Sequence, residues 1–212
     1  MIMSTSGARL ATERPTQAFA SCGWRRRIPN ILTTGRLLLA FVLFWAIGAG
    51  RWSTALVLFI VAAATDWLDG YIARRYGSAS TLGRMYDPLV DKVLMVGAFV
   101  FLLDVRTSPL EGGSGWTPWM VVVLLAREFI VTGIRAYLEE RGVAFGADWI
   151  GKAKMLFQAV ALMWILAAFC LAERGSAPAW AGALRDLLNW TAVGLTAASG
   201  LNYLWVARRH LL

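Results

Sequence analysis

Thr65-Asp66-Trp67-Leu68-Asp69-Gly70-Tyr71-Ile72-Ala73-Arg74, followed after eight intervening residues by Gly83-Arg84-Met85-Tyr86-Asp87-Pro88-Leu89-Val90-Asp91, places four aspartates in segments that are otherwise apolar enough to cross a bilayer. One carboxylate at the centre of a membrane helix costs about 2.5–3.5 kcal/mol, so four would cost roughly 10 kcal/mol if nothing offset them. Such a penalty is tolerated where the acids face a polar cavity and are neutralised, and divalent cations with oxygen ligands are the obvious neutralisers. Asp66 and Asp69 are three apart and Asp87 and Asp91 four apart, so on helices each pair shares a face. Two consecutive helices then aim four carboxylates at one volume, enough to bridge two divalent ions and leave positions for a substrate phosphate. A calcium-binding loop fits poorly, because its ligands fall on alternate residues and these do not.

Composition supports a membrane setting. Of 212 residues 58% are hydrophobic and only 16% charged, with 11 Trp and a mean hydropathy of +0.57, well outside the balance of a soluble domain. Apolar runs of helical length predict an all-α polytopic membrane protein with six transmembrane helices: Leu32 to Ala49, Ser53 to Arg74, Leu82 to Leu103, Trp119 to Leu138, Ile150 to Leu171 and Leu187 to Val206. Residues 28–212 read as one six-helix domain, and residues 1–27 as a disordered basic cytoplasmic leader that lacks an apolar run of signal-peptide length and only loosely fits a transit segment.

Charge between the spans sets an expected orientation. Arg25, Arg26 and Arg27 precede the first span, Arg74, Arg75 and Arg84 lie between the second and third, Arg141, Lys152 and Lys154 flank the join of the fourth and fifth, and Arg208 and Arg209 end the chain. The other connections are poor in cations, so both termini and the acidic face are expected on the cytoplasmic side of the cell (inner) membrane. The net charge of +8 is then explained by topology and anionic lipid, and nucleic acid is not expected as a partner, since the basic residues bracket spans instead of lining one soluble face. Cys22 and Cys170 lie far apart in this topology, which argues against a disulfide. The single His210 at the C-terminus argues against a zinc site and against histidine acid–base chemistry.

Around the acids, Gly70 removes a side chain next to Asp69, Ala73 is small one turn on, Gly83 permits close approach of helix or ligand, and Arg74 adds a cation at the membrane surface. Arg74 also reads as a positive-inside anchor, and Arg36 either reaches the acidic cavity or snorkels to the surface. Trp116, Trp119, Trp180 and Trp190 read as interfacial belt residues.

Asp66, Asp69, Gly70, Ala73, Arg74, Gly83, Asp87 and Asp91, with their spacing, resemble the complete signature of the CDP-alcohol phosphatidyltransferases, and the similarity extends from about Ile28 to at least Gln158. The resemblance implies a six-helix membrane enzyme, working as a homodimer, that moves a phosphatidyl or related group from a CDP-linked donor to an alcohol and releases CMP. It implies that Asp66, Asp69 and Asp87 hold two divalent cations, Mg2+ or Mn2+, and that Asp91 also contacts metal and acts as general base. For the CDP-lipid it implies contacts from Asn30, Thr33, Asp69, Gly70, Ala73, Arg74 and Gly83.

Ile28 to Arg36, Ala126 to Arg135, and Ile150 to Lys154 with Gln158 resemble the branch of that family that uses glycerol 3-phosphate as acceptor. Arg127, Arg135, Lys152 and Lys154 would then bind the acceptor phosphate, a pocket that serine or a neutral alcohol would not need. Each cation has a plainer account: Arg127 beside Glu128 fits an internal ion pair, and Arg135, about two turns on, fits a wet groove. Inositol phosphate and phosphatidylglycerol, the latter as in cardiolipin synthesis, remain open as acceptors. Outside the family, a cation or proton transporter would also use intramembrane carboxylates, but it leaves Gly70, Ala73 and Gly83 without a role.

Overall fold

A computed structural model describes residues 23–76, 81–105, 108–141 and 149–211, with side chains described within 33–67, 89–105, 108–141 and 149–208. Every regular element among them is a helix: α1 (Gly23–Gly48), α2 (Trp52–Tyr76), α3 (Thr81–Leu103), α4 (Pro118–Glu140), α5 (Trp149–Glu173) and α6 (Ala181–Leu211). At 1.5 Å per residue the shortest helices are about 35 Å long, enough for a hydrocarbon core of about 30 Å. By continuous apolar length alone, among the described residues only α5 meets the requirement for a span; Thr33–Gly48 and Trp52–Trp67 are shorter apolar runs. The other helices carry charged residues within or beside their apolar stretches.

The helices exceed the apolar runs at both ends of the chain. α1 begins at Gly23, ahead of the run that starts at Leu32, and α6 begins at Ala181, six residues before Leu187. Helix ends follow local chemistry. Pro118 opens α4 at its first turn after an extended Thr117. Beyond α1 and α5, Gly50 (φ 67) and Gly175 (φ 66) adopt the left-handed conformation, and paired bonds close each end: Gly50 N–H to Ile47 O with Arg51 N–H to Ala46 O, and Gly175 N–H to Ala172 O with Ser176 N–H to Leu171 O.

The three-residue turn after α1 sends α2 back antiparallel beside it. α1 packs on α2 and α3, α5 on α6 and α2, and α4 on α6, with lighter contacts of α3 to α4 and α5. Fully buried alanines at 40, 46, 55, 98, 161, 168 and 192 let the helices approach closely, around a core that includes Leu43, Ile47, Phe99, Leu102, Leu124, Ile165 and Phe169. Leu38, Phe41, Trp45, Leu156, Phe129 and Leu201 lie on the outside, an apolar exterior suited to lipid.

Trp119, Trp180 and Trp190 are exposed, as expected of belt residues, whereas Trp116 is 6% exposed. Its ring stacks at a tilt on Phe99, 4.1 Å between centroids, so Trp116 is a core residue and not part of the belt. The α3–α4 connection is folded back at this end by Arg185 of α6. This buried side chain donates to the carbonyls of Glu111 and Gly113, both at 2.7 Å, and pairs through Nε with Asp186 at 2.8 Å. Asn189 adds a bond to Ser114 O at 3.0 Å.

Candidate active site

The opposite end of the bundle holds the site. With adjacent helices antiparallel, the early turns of α1, α3 and α5 meet the late turns of α2, α4 and α6, which is where the chemistry-bearing residues fall. Thr33 and Arg36 sit one turn apart on a buried face of α1. From there Arg36 Nη1 donates to Asp66 Oδ1 of α2 and to Asp91 Oδ1 of α3, each at 2.6 Å. The arginine side chain is 2% exposed, against 54% for Asp66 and 31% for Asp91. All three line the same cleft, the carboxylates more open to solvent than the cation. Arg36 reaches the acidic cavity instead of snorkelling to the surface.

A second charged cluster faces these acids. Glu128 of α4 accepts a bond from Lys154 of α5 and from Arg127 at 3.2 Å, with Lys92 Nζ 3.8 Å from its other oxygen. Lys92 also donates to Thr132 at 2.5 Å. Three cations around one carboxylate leave a formal surplus of two positive charges. Arg127 is further held by Ser199 Oγ at 2.6 Å, and Gln158 donates to Thr196 at 3.0 Å.

Both clusters line one cleft of about 380 Å³, whose walls include Arg36, Asp66, Asp91, Lys92, Glu128 and Lys154 and an apolar side formed by residues such as Phe59, Ala62, Leu94 and Met155. A largely apolar cleft with charged side chains set into its walls suits a ligand with a lipid body and an anionic head.

The expected site residues are brought together unevenly. Asp66, Asp91 and Lys154 share the cleft, and Arg127 joins through Glu128. Arg135 turns away, its Nε donating to Tyr203 Oη at 3.3 Å, and Lys152 is exposed on α5 and is not among the cleft's walls. The backbones of Asn30, Asp69, Gly70, Ala73, Arg74, Gly83 and Asp87 lie in α1, α2 and α3, in the helical register the signature needs, but their side chains fall outside the described residues, as does Cys22 altogether. Lys92 carries no signal of its own in the sequence; only the packing of α3 on α4 brings it beside Glu128 and Thr132. Cys170 is buried and carries a free thiol.

Among the described residues no group of three or more acids, His or Cys is arranged for a metal; Asp66 and Asp91 are the share of the quartet that falls within them. What is present fits a hard divalent cation: carboxylate oxygens from two helices, exposed to a cleft and held at a shared spacing.

Comparison with known proteins decides the family. The profile of the CDP-alcohol phosphatidyltransferases matches residues 26–198. This chain belongs to that family. A CDP-diacylglycerol–glycerol-3-phosphate 3-phosphatidyltransferase of Bacillus subtilis (strain 168) is 37% identical over 147 residues, 69% of each chain. Enzymes of the same name from Escherichia coli (strain K12) and Shigella flexneri are 35% identical over 191 residues, covering 87% of this chain and 97% of theirs. The phosphatidyltransferase is thus an all-helical enzyme of a membrane-bound family, a transferase of phosphate-containing groups, and the transporter alternative loses its support.

Proposed function

We propose that this phosphatidyltransferase moves the phosphatidyl group of CDP-diacylglycerol to glycerol 3-phosphate, giving phosphatidylglycerophosphate and CMP in phospholipid biosynthesis. The observation that carries this reading is one cleft whose walls hold Asp66 and Asp91 together with Lys92, Glu128 and Lys154, with Arg127 paired to Glu128. An acidic half suits metal and nucleotide, and a cationic half suits an acceptor that itself bears a phosphate. The names of the relatives agree with that division.

In the proposed reaction a hydroxyl oxygen of glycerol 3-phosphate forms a bond to the lipid-bearing phosphorus. The bond from that phosphorus to the bridging oxygen breaks, and CMP leaves with the electron pair. Asp91 takes the hydroxyl proton as the new bond forms. Two divalent cations, Mg2+ or Mn2+, held by Asp66, Asp69, Asp87 and Asp91, would supply charge neutralisation for the departing CMP. Asn30, Thr33, Gly70, Ala73, Arg74 and Gly83 are assigned to the nucleotide end of the donor. Lys154 and Lys92, on the cleft walls, and Arg127, paired to Glu128 beside them, bind the acceptor phosphate, while Arg135 and Lys152 attract the anion toward it. The assignment places the enzyme as a multi-pass protein of the inner membrane, as one domain over residues 28–212 behind a basic leader, with termini and site cytoplasmic, and as a homodimer.

Purified protein given CDP-diacylglycerol and, in parallel, labelled glycerol 3-phosphate, inositol phosphate, serine or phosphatidylglycerol tests the acceptor. Product from glycerol 3-phosphate alone is expected. Exclusive use of any other acceptor would overturn the assignment.

A further inference from the structure

Arg36 enters the site from α1, a helix that carries none of the signature aspartates. One nitrogen, Nη1, makes both 2.6 Å bonds, to Asp66 Oδ1 and to Asp91 Oδ1, which are 30 and 55 positions further along the chain. Two carboxylates on separate helices repel one another, and in a low-dielectric interior that repulsion drives them apart or protonates one. A guanidinium between them removes the repulsion and defines their separation. Its burial also matters: the guanidinium is 2% exposed, whereas the acids, at 54% and 31%, remain open to solvent. A cation arriving from the cleft, whose walls hold all three side chains, meets carboxylates already set in place by the guanidinium.

We propose that Arg36 is a positioning residue that presets Asp66 and Asp91 for a divalent cation and stays bonded to them once the cation is held. This rests on the reading that those aspartates bind metal. Carboxylate ligands are themselves hydrogen-bonded in metal sites, and losing such a partner weakens metal binding by about 10–100-fold. The rival arrangement, in which the guanidinium stands in the cation's own place, has the opposite consequence, because removing a competitor strengthens binding.

Mn2+ titrated into the detergent-purified full chain, with free ion followed by its electron paramagnetic resonance signal, separates these cases without reference to turnover. Wild-type protein that binds no Mn2+ would overturn the metal reading itself. If wild type binds, Arg36→Gln is expected to bind Mn2+ about 10–100-fold more weakly. Arg36→Lys is expected to fall between them, since an ammonium also offers one nitrogen to two oxygens, from a shorter stem. Unchanged or tighter Mn2+ binding by Arg36→Gln would overturn the proposal, including the case in which only its thermal stability falls. Should Arg36→Gln fail to give monodisperse protein, Arg36→Lys decides alone: weaker binding than wild type supports the proposal, and equal or tighter binding overturns it.

Discussion

Replacing Lys154 by methionine keeps most of the stem and removes the charge, which makes it the most informative single perturbation of the acceptor half. The side chain is 4% exposed and bonded to Glu128, which also has Arg127 at 3.2 Å and Lys92 at 3.8 Å. Deleting one of three cations halves the formal surplus from two charges to one, yet leaves Glu128 paired, so the fold should survive. A charge-assisted hydrogen bond to a phosphate contributes about 1.5–3 kcal/mol, which corresponds to roughly a 10- to 150-fold change at 1.36 kcal/mol per decade. Because Arg127 and Lys92 compensate in part, the expected rise in KM for glycerol 3-phosphate is about 10–50-fold. The KM for CDP-diacylglycerol, whose nucleotide is assigned to the acidic half, should move less than about threefold, within the context dependence of neighbouring contacts. Initial rates measured over a matrix of both substrates give the two constants separately, with Arg135→Ala as the comparison expected to show the smaller effect, since Arg135 faces Tyr203 and only steers the anion. An unchanged acceptor KM in Lys154→Met, or a larger effect in Arg135→Ala, would refute the assignment of the cationic half.

Other expectations concern the remaining parts of the molecule. Asp91→Asn should abolish CMP release while donor binding, followed by ligand-dependent thermal shift, is largely kept; full turnover in that variant would remove Asp91 as the base. Chelation with EDTA should abolish transfer and added Mg2+ or Mn2+ should restore it, so activity that persists through exhaustive chelation would contradict the metal assignment. At the far end of the bundle, Arg185→Met loses bonds to two carbonyls and is expected to destabilise the protein by about 2–4 kcal/mol, seen as a lower unfolding temperature in detergent with both KM values unchanged. A change in acceptor KM there would show that the two ends are coupled.

Much of the architecture was legible without coordinates because the helices coincide with largely apolar stretches, although among the described residues only α5 is apolar over a full span. The helix ends were not legible. Ala181 to Asp186 carries Gly, Arg and Asp and belongs to no apolar run, yet it is helical, because Arg185 gains its partners from the α3–α4 connection. Trp116 reads as a belt residue by type and position, but its burial against Phe99 depends on how that connection folds back.

For the site, the linear chain determined whatever depends on spacing along one helix: the paired faces of Asp66 with Asp69 and of Asp87 with Asp91, the small residues beside them, and the family signature they compose. Tertiary structure decided which charges meet across helices. That Arg36 joins Asp66 to Asp91 and that Glu128 gathers Lys92, Arg127 and Lys154, while Arg135 turns to Tyr203, depends on helix rotation and depth. Those are set by the packing of α1 between α2 and α3 and of α4 against α6, and a residue's position along its own helix carries no information about them.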